Sequence, residues 1–440
     1  MGFHRLRSVA PNLLLLGLCA ASGRAGASGF ELYEESPAGT AMAGALTAIS
    51  GDASAIFYNP AGIAMQRGGS VLIGASGALG LTSVTDGTVK TDATNKAAVL
   101  PTAFVSQRFG RFAAGVGLFT QFGSGLKWNE QGTGAGGMPA KFPGRFVATN
   151  TQLQSVTINP TIALLATDQI SIGVGLDVFL ASAELQRQIL LGDFEGNAHL
   201  GGTGHAIGFN FGALAQIIPD KLSFGIAYRS GMSLDFDLKA VFAGPPELQG
   251  VVKDQPAKLS LPLPHNFSVG IAVHPVERLL ITADVHATLW SDFRTLSATF
   301  PTTTTPALTA PRNWKDSVSA RLGLEVMATR GLALRLGFGY DQSPVPQSTL
   351  DPTIPVSDRF IVSGGVGYTI GAGAVRGLTL GLGYLAGISA DRVSTIPDFP
   401  NATYSQTVHL ATLGISYRWG GHDNDPCAQG SLRCGSISHY

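Results

Sequence analysis

Along much of this chain, hydrophobic residues alternate with polar or small ones at a period of two, the signature of strands with two unlike faces. Leu222, Phe224, Ile226 and Tyr228 share one face of such a segment, and Ser223, Gly225, Ala227 and Arg229 share the other. The same division separates Val318, Ala320, Leu322, Leu324 and Val326 from Ser319, Arg321, Gly323 and Glu325. It returns in Leu332, Leu334, Leu336, Phe338 and Tyr340 against Ala333, Arg335, Gly337 and Gly339. Alternation alone fits a soluble β-sandwich as well as a membrane barrel.

The connections separate the two. Tight turns near Asp168, Asp220, Val276, Arg330 and Gly373 alternate with longer polar segments around residues 81–98, 123–150, 187–202, 237–257, 294–313, 342–357 and 387–403. Short turns at one end and long loops at the other are the asymmetry of an outer-membrane barrel. The runs count to about fourteen strands between Gly69 and Trp419, an even number that leaves both barrel ends in the periplasm. Closure is required because nothing in a bilayer core satisfies an unpaired backbone group.

Tyr228, Tyr340, Tyr368, Tyr384, Tyr417 and Trp419 fall near strand ends, as an interfacial aromatic girdle would. Arg229, Arg321, Glu325, Arg335, Asp177 and Asp284 then point into the lumen, where structural ion pairs are the plainer reading and a transport role the sharper one. The predicted fold is all-β: a transmembrane antiparallel β-barrel of about fourteen strands with a small N-terminal helical hatch, or plug, inside the lumen.

The hatch reading comes from Gly51 to Met65, GDASAIFYNPAGIAM. Asp52 can cap a short helix over Ala53 to Tyr58, and Pro60 can start a second. Upstream, His4, Arg5 and Arg7 precede an apolar run from Leu13 to Ala21 and then Ala25-Gly26-Ala27, the pattern of a cleaved secretory signal. A lipoprotein signal at Cys19 competes, but Leu18 is large for the position before a lipidated cysteine. The predicted organisation is a signal at 1–27, a hatch at 28–67, a barrel at 68–419 and a tail at 420–440.

Composition agrees with an oily chain that is not helical. Mean hydropathy is +0.22, yet beyond the signal no window reaches the ~18 apolar residues of a membrane helix. Charged residues are 13% and glycines number 57 of 440, against roughly 25% and 7% in ordinary domains. The 29 basic and 29 acidic residues give no net charge, so nucleic acid is not an expected partner. Cys427 and Cys434 lie in the tail and allow either a small disulfide loop or two free thiols. No G-x-S-x-G elbow, HExxH, P-loop or paired CxxC occurs, and the nine histidines show no metal-ligand spacing. No catalytic residue, metal or cofactor is assigned, and the pair His286 and Ser291 lacks the context of a lipid-cleaving nucleophile.

At the level of ordered motifs the chain resembles the FadL family, outer-membrane transporters of long-chain fatty acids and related hydrophobic compounds. Gly29-Phe30-Glu31-Leu32 and Asn59-Pro60-Ala61 look like that family's hatch, and Ile158-Asn159-Pro160-Thr161 looks like one of its strand starts. Tyr228-Arg229-Ser230, Leu261-Pro262-Leu263-Pro264, Trp314-Lys315-Asp316, Asp341-Gln342-Ser343-Pro344 and Asp358-Arg359-Phe360 follow in order. The resemblance implies capture by the long third and fourth loops, blockage by the hatch, and lateral exit through a gap at a kinked third strand. Such a route keeps a hydrophobic solute out of water, at about 0.8 kcal/mol per buried methylene.

Here the third strand is predicted over Phe112 to Phe122, and Gly123-Ser124-Gly125 would supply the interruption, with a plain loop as the alternative. Leu118, Phe119, Phe122, Leu126 and Trp128 would line an outer entry groove or sit in the membrane interface. Arg187 or Arg312, with Lys315 as an alternative, would pair a fatty-acid carboxylate, because an unpaired buried charge is expensive. For a neutral hydrocarbon these residues would be structural. The expected function is passive uptake across the outer membrane. A water-filled porin and a lipid-acting barrel enzyme are the rivals. Expected partners are hydrophobic small molecules, outer-membrane lipid and lipopolysaccharide, and the barrel assembly machinery, with the chain a monomer.

Overall fold

Fourteen antiparallel strands close into one barrel in the computed structural model, which describes residues 29–191, 193–245, 253–301, 307–371, 376–397, 399 and 401–420. The predicted signal, Cys19, Cys427, Cys434 and the tail beyond Gly420 lie outside the described residues, as does Gly373. The strands are β1 (Gly69–Asp86), β2 (Ala98–Phe109), β3 (Phe112–Phe119, resuming at Ser124–Lys127), β4 (Asn150–Leu165), β5 (Ile170–Leu191), β6 (Phe194–Ile218) and β7 (Leu222–Arg229, resuming at Met232–Ala243). They continue with β8 (Gln255–Leu263, resuming at His265–Val276), β9 (Leu279–Leu289), β10 (Ser317–Met327), β11 (Leu332–Asp341), β12 (Arg359–Thr369), β13 (Leu378–Ser389) and β14 (Thr403–Trp419). Each pairs with its sequence neighbours, and β1 closes on β14 from Gly69 opposite Trp419 to Thr85 opposite Thr403. A full ladder at the seam leaves no open sheet edge there.

The outer face is apolar because alternate residues project outward. Ile172, Val174, Leu176 and Leu180 on β5 are all exposed, as are Leu334, Leu336 and Phe338 on β11. Aromatic residues bound this band. Toward the short turns stand Phe109, Phe112, Tyr368, Tyr417 and Trp419. Toward the long loops Tyr340 donates to Asp358, while the hydroxyls of Tyr228 and Tyr384 lie 2.8 Å from Nδ1 of His265 and His409. Among the described residues no helix is long and apolar enough to cross a membrane.

Two local expectations differ. Residues 187–202 are not a loop but the upper part of a hairpin formed by β5 and β6. Alternation persists there, so the strands pair on beyond the apolar band. The third strand stops at Phe119 rather than Phe122 and resumes at Ser124. Its break therefore falls on Thr120–Gly123, and Gly125 lies in regular register opposite Gln152. Gly123 takes no left-handed backbone, and a Cβ on it would meet Leu32 at an ordinary 3.6 Å, so glycine is not what forces the break.

Inside the turn-side half of the barrel sits the hatch, with α1 (Pro37–Ala41), α2 (Ala55–Tyr58) and α3 (Gly62–Met65). The first of these went unforeseen, although Ser36 before Pro37 is a helix-start signal and Ser36 Oγ accepts from Gly39 N at 3.0 Å. Asp52 stands two residues before the cap position Ser54, accepting from Ser54 N at 2.8 Å. Helices this short gain little from their own hydrogen bonds and depend on packing.

The wall makes room for them. A Cβ on Gly173, Gly212, Gly225, Gly337, Gly365 or Gly383 would stand within 2.0–2.6 Å of a hatch atom. This collar runs from β5 to β13 and accounts for part of the glycine excess. Ion pairs pin the rest. Arg321 reaches Glu34 at 3.5 Å, Asp341 at 3.1 Å and the Ala43 carbonyl at 2.8 Å, and Arg229 joins Asp177 and the Phe57 carbonyl. Arg335 pairs with Glu325 at 2.7 Å.

Candidate functional site

The lumen has two storeys of different chemistry. The turn-side storey holds the hatch and the buried ion pairs. The loop-side storey is lined by a continuous apolar cluster including Phe122, Phe179, Leu234, Leu261, Trp290 and Trp314. Burial of so many large side chains facing inward, rather than outward to lipid, makes the upper lumen oily instead of aqueous. A diffusion porin would hold a charged, wet constriction at this height.

Between the storeys, the first hatch residues pair with the break in β3. Leu32 N donates to Gln121 O at 2.8 Å and Gly123 N to Phe30 O at 2.9 Å, a short ladder across the lumen. Phe30 fills a box made by Phe122, Trp290 and Trp314, with ring centroids 5.7, 4.9 and 6.0 Å away. Glu31 is buried and accepts from Tyr33, Gln121 and Asn266 at 3.0, 3.2 and 2.8 Å. Burial raises its pKa to about 7 against the opposing hydrogen bonds and the charges of Arg229 and Arg321. Glu35 is pushed well above the ordinary carboxylate range by the same desolvation.

The break also changes the wall. β2 pairs with β3 from Ala103 to Phe109, and β3 bends away above Phe119. Residues 98–102 of β2 therefore keep a ladder to β1 but have no partner on their other side among the described residues. Above, the resumed β3 is tied to the first loop, with Thr94 N donating to Lys127 O at 2.7 Å.

At the hatch centre, Asn59 is fully buried. Its Nδ2 donates to Thr47 O at 2.8 Å and to Ala213 O on β6 at 3.0 Å, and its Oδ1 accepts from Ala61 N at 3.2 Å. Ser171 Oγ on β5 donates to Ala61 O at 2.9 Å. Pro60 packs directly over Gly173 and Gly212. The Asn59-Pro60-Ala61 turn is thus stitched to two wall strands.

Two of the predicted basic residues meet in one place. A cavity of about 120 Å³ in the loop-side half is walled by Leu185, Leu200, Leu259, Leu296 and Leu308, and both Arg187 and Arg312 line it. Their electrostatics differ. Arg312 is buried and bound to Asp351 at 2.6 Å, and Asp351 also accepts from Thr353 N at 2.9 Å. Arg187 is half-buried, its Nε has no hydrogen-bond partner, and no carboxylate lies in ion-pair range of it among the described residues. Lys315 is exposed and lines no part of the cavity.

The predicted groove residues disperse. Phe122, Leu126 and Trp128 belong to the loop-side cluster, where Trp128 donates to Pro352 O at 2.9 Å and stacks on Phe142. Phe119 lies lower, stacked on Phe104 and edge-on to Phe57 of the hatch. Leu118 projects to the lipid side with Phe112 and Val116, outside any groove, because the two-residue period of β3 continues to its end. Phe30, Glu31, Asp351, Trp290 and Leu308 were not singled out as site residues. Trp290 and Trp314 flanking a long loop were the one local signal for an apolar box.

The Ser-His pairing also differs from the sequence candidates. Ser291 is exposed, and the hydroxyl near His286 belongs to Ser268, at 2.7 Å. Asp284 lies 4.0 Å from His286 and accepts from Thr47 N at 2.8 Å, so the three groups do not form a hydrogen-bonded relay. No three potential metal ligands cluster among the described residues.

Comparison with known proteins places the chain. A family model described as outer membrane protein transport protein (OMPP1/FadL/TodX) matches residues 18–393. A long-chain fatty acid transport protein of Escherichia coli O6:H1 is 25% identical over 417 residues, covering 85% of this chain and 90% of that one. The crystal structure of a Pseudomonas aeruginosa FadL homologue aligns with a TM-score of 0.79 at 17% identity over 89% of this chain and 99% of that one. The Pseudomonas putida toluene transporter TodX aligns with a TM-score of 0.68 at 16% identity over 87% and 99%. These two structural likenesses speak for the fold alone.

Proposed function

This chain belongs to that family of outer-membrane transporters of hydrophobic compounds, and from this premise we propose that its cargo is a long-chain carboxylate, captured above the hatch and released sideways into the bilayer. The observation that carries the cargo assignment is Arg187, a cation without an ion-pair partner at a cavity walled by leucines among amide and hydroxyl side chains. Relatives are named for both fatty acids and toluene, so family membership alone does not choose. A neutral hydrocarbon would leave the half-buried Arg187 guanidinium without a counter-charge, whereas a carboxylate would neutralise it through charge-assisted hydrogen bonds. Arg312 is already neutralised by Asp351, so the site offers one net positive charge for one carboxylate.

A cavity of about 120 Å³ seats the headgroup and the first carbons only. The rest of the chain lies along the apolar storey, where Phe30 occupies the position an alkyl tail would take. Displacing Phe30 removes the partner strand from the β3 break. The unpaired edge of β2 at 98–102 supports an exit at that height, because cargo leaving there passes from an oily lumen to an oily bilayer without crossing water.

A disulfide staple between the hatch and the break tests this. In a Leu32→Cys, Gln121→Cys variant, oleate uptake by cells should fall under oxidising conditions and recover with a reductant. Undiminished uptake in the stapled form would place the exit elsewhere.

A further inference from the structure

The outer wall above the lipid band carries a notch that the transport reading does not use. On β5 the exposed apolar series runs to Leu180 and gives way to Ser182 and Glu184, with Leu190 the next exposed apolar side chain on that face. On β6 it ends at Ile207 and gives way to His205 and Thr203. On β7 it ends at Tyr228 and gives way to Asp235, Asp237 and Lys239. The change is abrupt and falls at one level on adjacent strands, as the top of a hydrocarbon layer would require.

Within this polar zone a recess of about 350 Å³ is framed by Gln154 of β4, Glu184 of β5, His199 of β6 and Lys239 of β7. That volume lies within the roughly 300–1,000 Å³ of small-molecule sites. Its floor contains Gly201 and Gly202. Gly201, opposite Glu184 and Lys239, carries no side chain on the outer face and so sinks the floor, whereas Gly202 turns its Cβ position to the lumen with Ala183 and Leu238. His199 Nε2 is buried without a hydrogen-bond partner and lies at the recess.

Height identifies the occupant. Glu184 is four residues beyond Leu180, roughly 13 Å along the strand and about 10 Å above the hydrocarbon at the usual barrel tilt. A headgroup region adds only about 5–8 Å per leaflet, so a phospholipid headgroup reaches the lower rim at Ser182 and Gln154 but not the upper part at Glu184, His199 and Lys239. The lining mixes one carboxylate, one ammonium, the two amides of Gln152 and Gln154, the Ser182 hydroxyl and an imidazole. Lys239 is itself 3.9 Å from Asp254, so there is no cationic cluster of the kind a phosphate would need. Mixed donors and acceptors over a flat floor suit sugar hydroxyls.

We propose that this notch holds a sugar ring from the oligosaccharide of an outer-leaflet glycolipid whose acyl chains lie against the β5–β7 face below it.

The test is retention of glycolipid by the purified full-length barrel, read by native mass spectrometry after addition of lipopolysaccharide with a complete core or of the same lipid lacking the core. Wild type should retain the core-bearing form at least tenfold better. Gly201→Trp, which fills the notch, and separately Glu184→Ala with His199→Ala, should abolish that preference while leaving coreless lipid retained and the barrel folded by heat-shift electrophoresis. Equal retention of both lipids by wild type, or an unchanged preference in both variants, would overturn the proposal. So would free core oligosaccharide binding as tightly as the glycolipid, since the lipid anchor would then contribute nothing.

Discussion

Gln121 Nε2 donates to Glu31 Oε1 at 3.2 Å, joining the first residues of the hatch to the break in the third strand across 90 positions of sequence. The same carboxyl takes hydrogen bonds from Tyr33 and Asn266, so one side chain gathers hatch, β3 and β8. Replacing it in Glu31→Ala strands buried donors, each at about 1–3 kcal/mol. Amide exchange over residues 29–35 should accelerate, while the thermal unfolding of the barrel stays within a few degrees of wild type.

The pH dependence follows from the same group. Burial raises the Glu31 pKa from 4.5 to about 7, so the seated hatch holds a proton that the released segment gives up. The seated form is thus favoured fully below about pH 4.5, and this contribution is lost as pH rises through about 7. Exchange at residues 29–35, corrected for intrinsic rate, should be faster at pH 8 than at pH 5.5. Glu31→Gln should flatten the difference, and a slope that survives in this variant would assign it to another group.

Asn59 offers a test of the plug itself. Asn59→Ala leaves the Thr47 and Ala213 carbonyls without their amide donor, and Gly212→Val pushes a side chain into the space that Asn59 fills. Both should loosen the hatch in the closed barrel and raise ion conductance in planar bilayers over wild type. The predicted cost is about 1–3 kcal/mol for the asparagine, and conductance at the wild-type level in both variants would refute it.

Arg312 and Asp351 should behave as a structural pair. Arg312→Ala leaves the buried Asp351 carboxylate alone and should cost about 3–5 kcal/mol locally, seen as faster proteolysis of the 342–357 loop. A double replacement, Arg312→Met with Asp351→Leu, should be tolerated much better than either single change.

Much of this architecture was legible because strand alternation and turn asymmetry are local signals. Val318 to Val326 and Leu332 to Tyr340 expose and bury the residues that their periodicity assigns. Arg187 and Arg312 were also legible as basic candidates, although Arg187 lies within the β5–β6 hairpin rather than beside a loop. What distinguishes them was not, because Asp351 reaches Arg312 from another loop. The end of β3 escaped for a similar reason. The segment Phe119-Thr120-Gln121-Phe122 carries no glycine or proline to mark a stop, and the strand breaks there because Phe30 to Leu32, far upstream, supplies the backbone partner.

Equilibrium binding of oleate and of an alkylbenzene to the purified barrel, with wild type and Arg187→Ala side by side, bears most directly on the cargo. Loss of one charge-assisted contact, about 1.5–3 kcal/mol, should weaken oleate roughly ten- to a hundredfold and leave the alkylbenzene unchanged. Equal affinity of both proteins for oleate, or tighter wild-type binding of the neutral ligand, would contradict the carboxylate assignment.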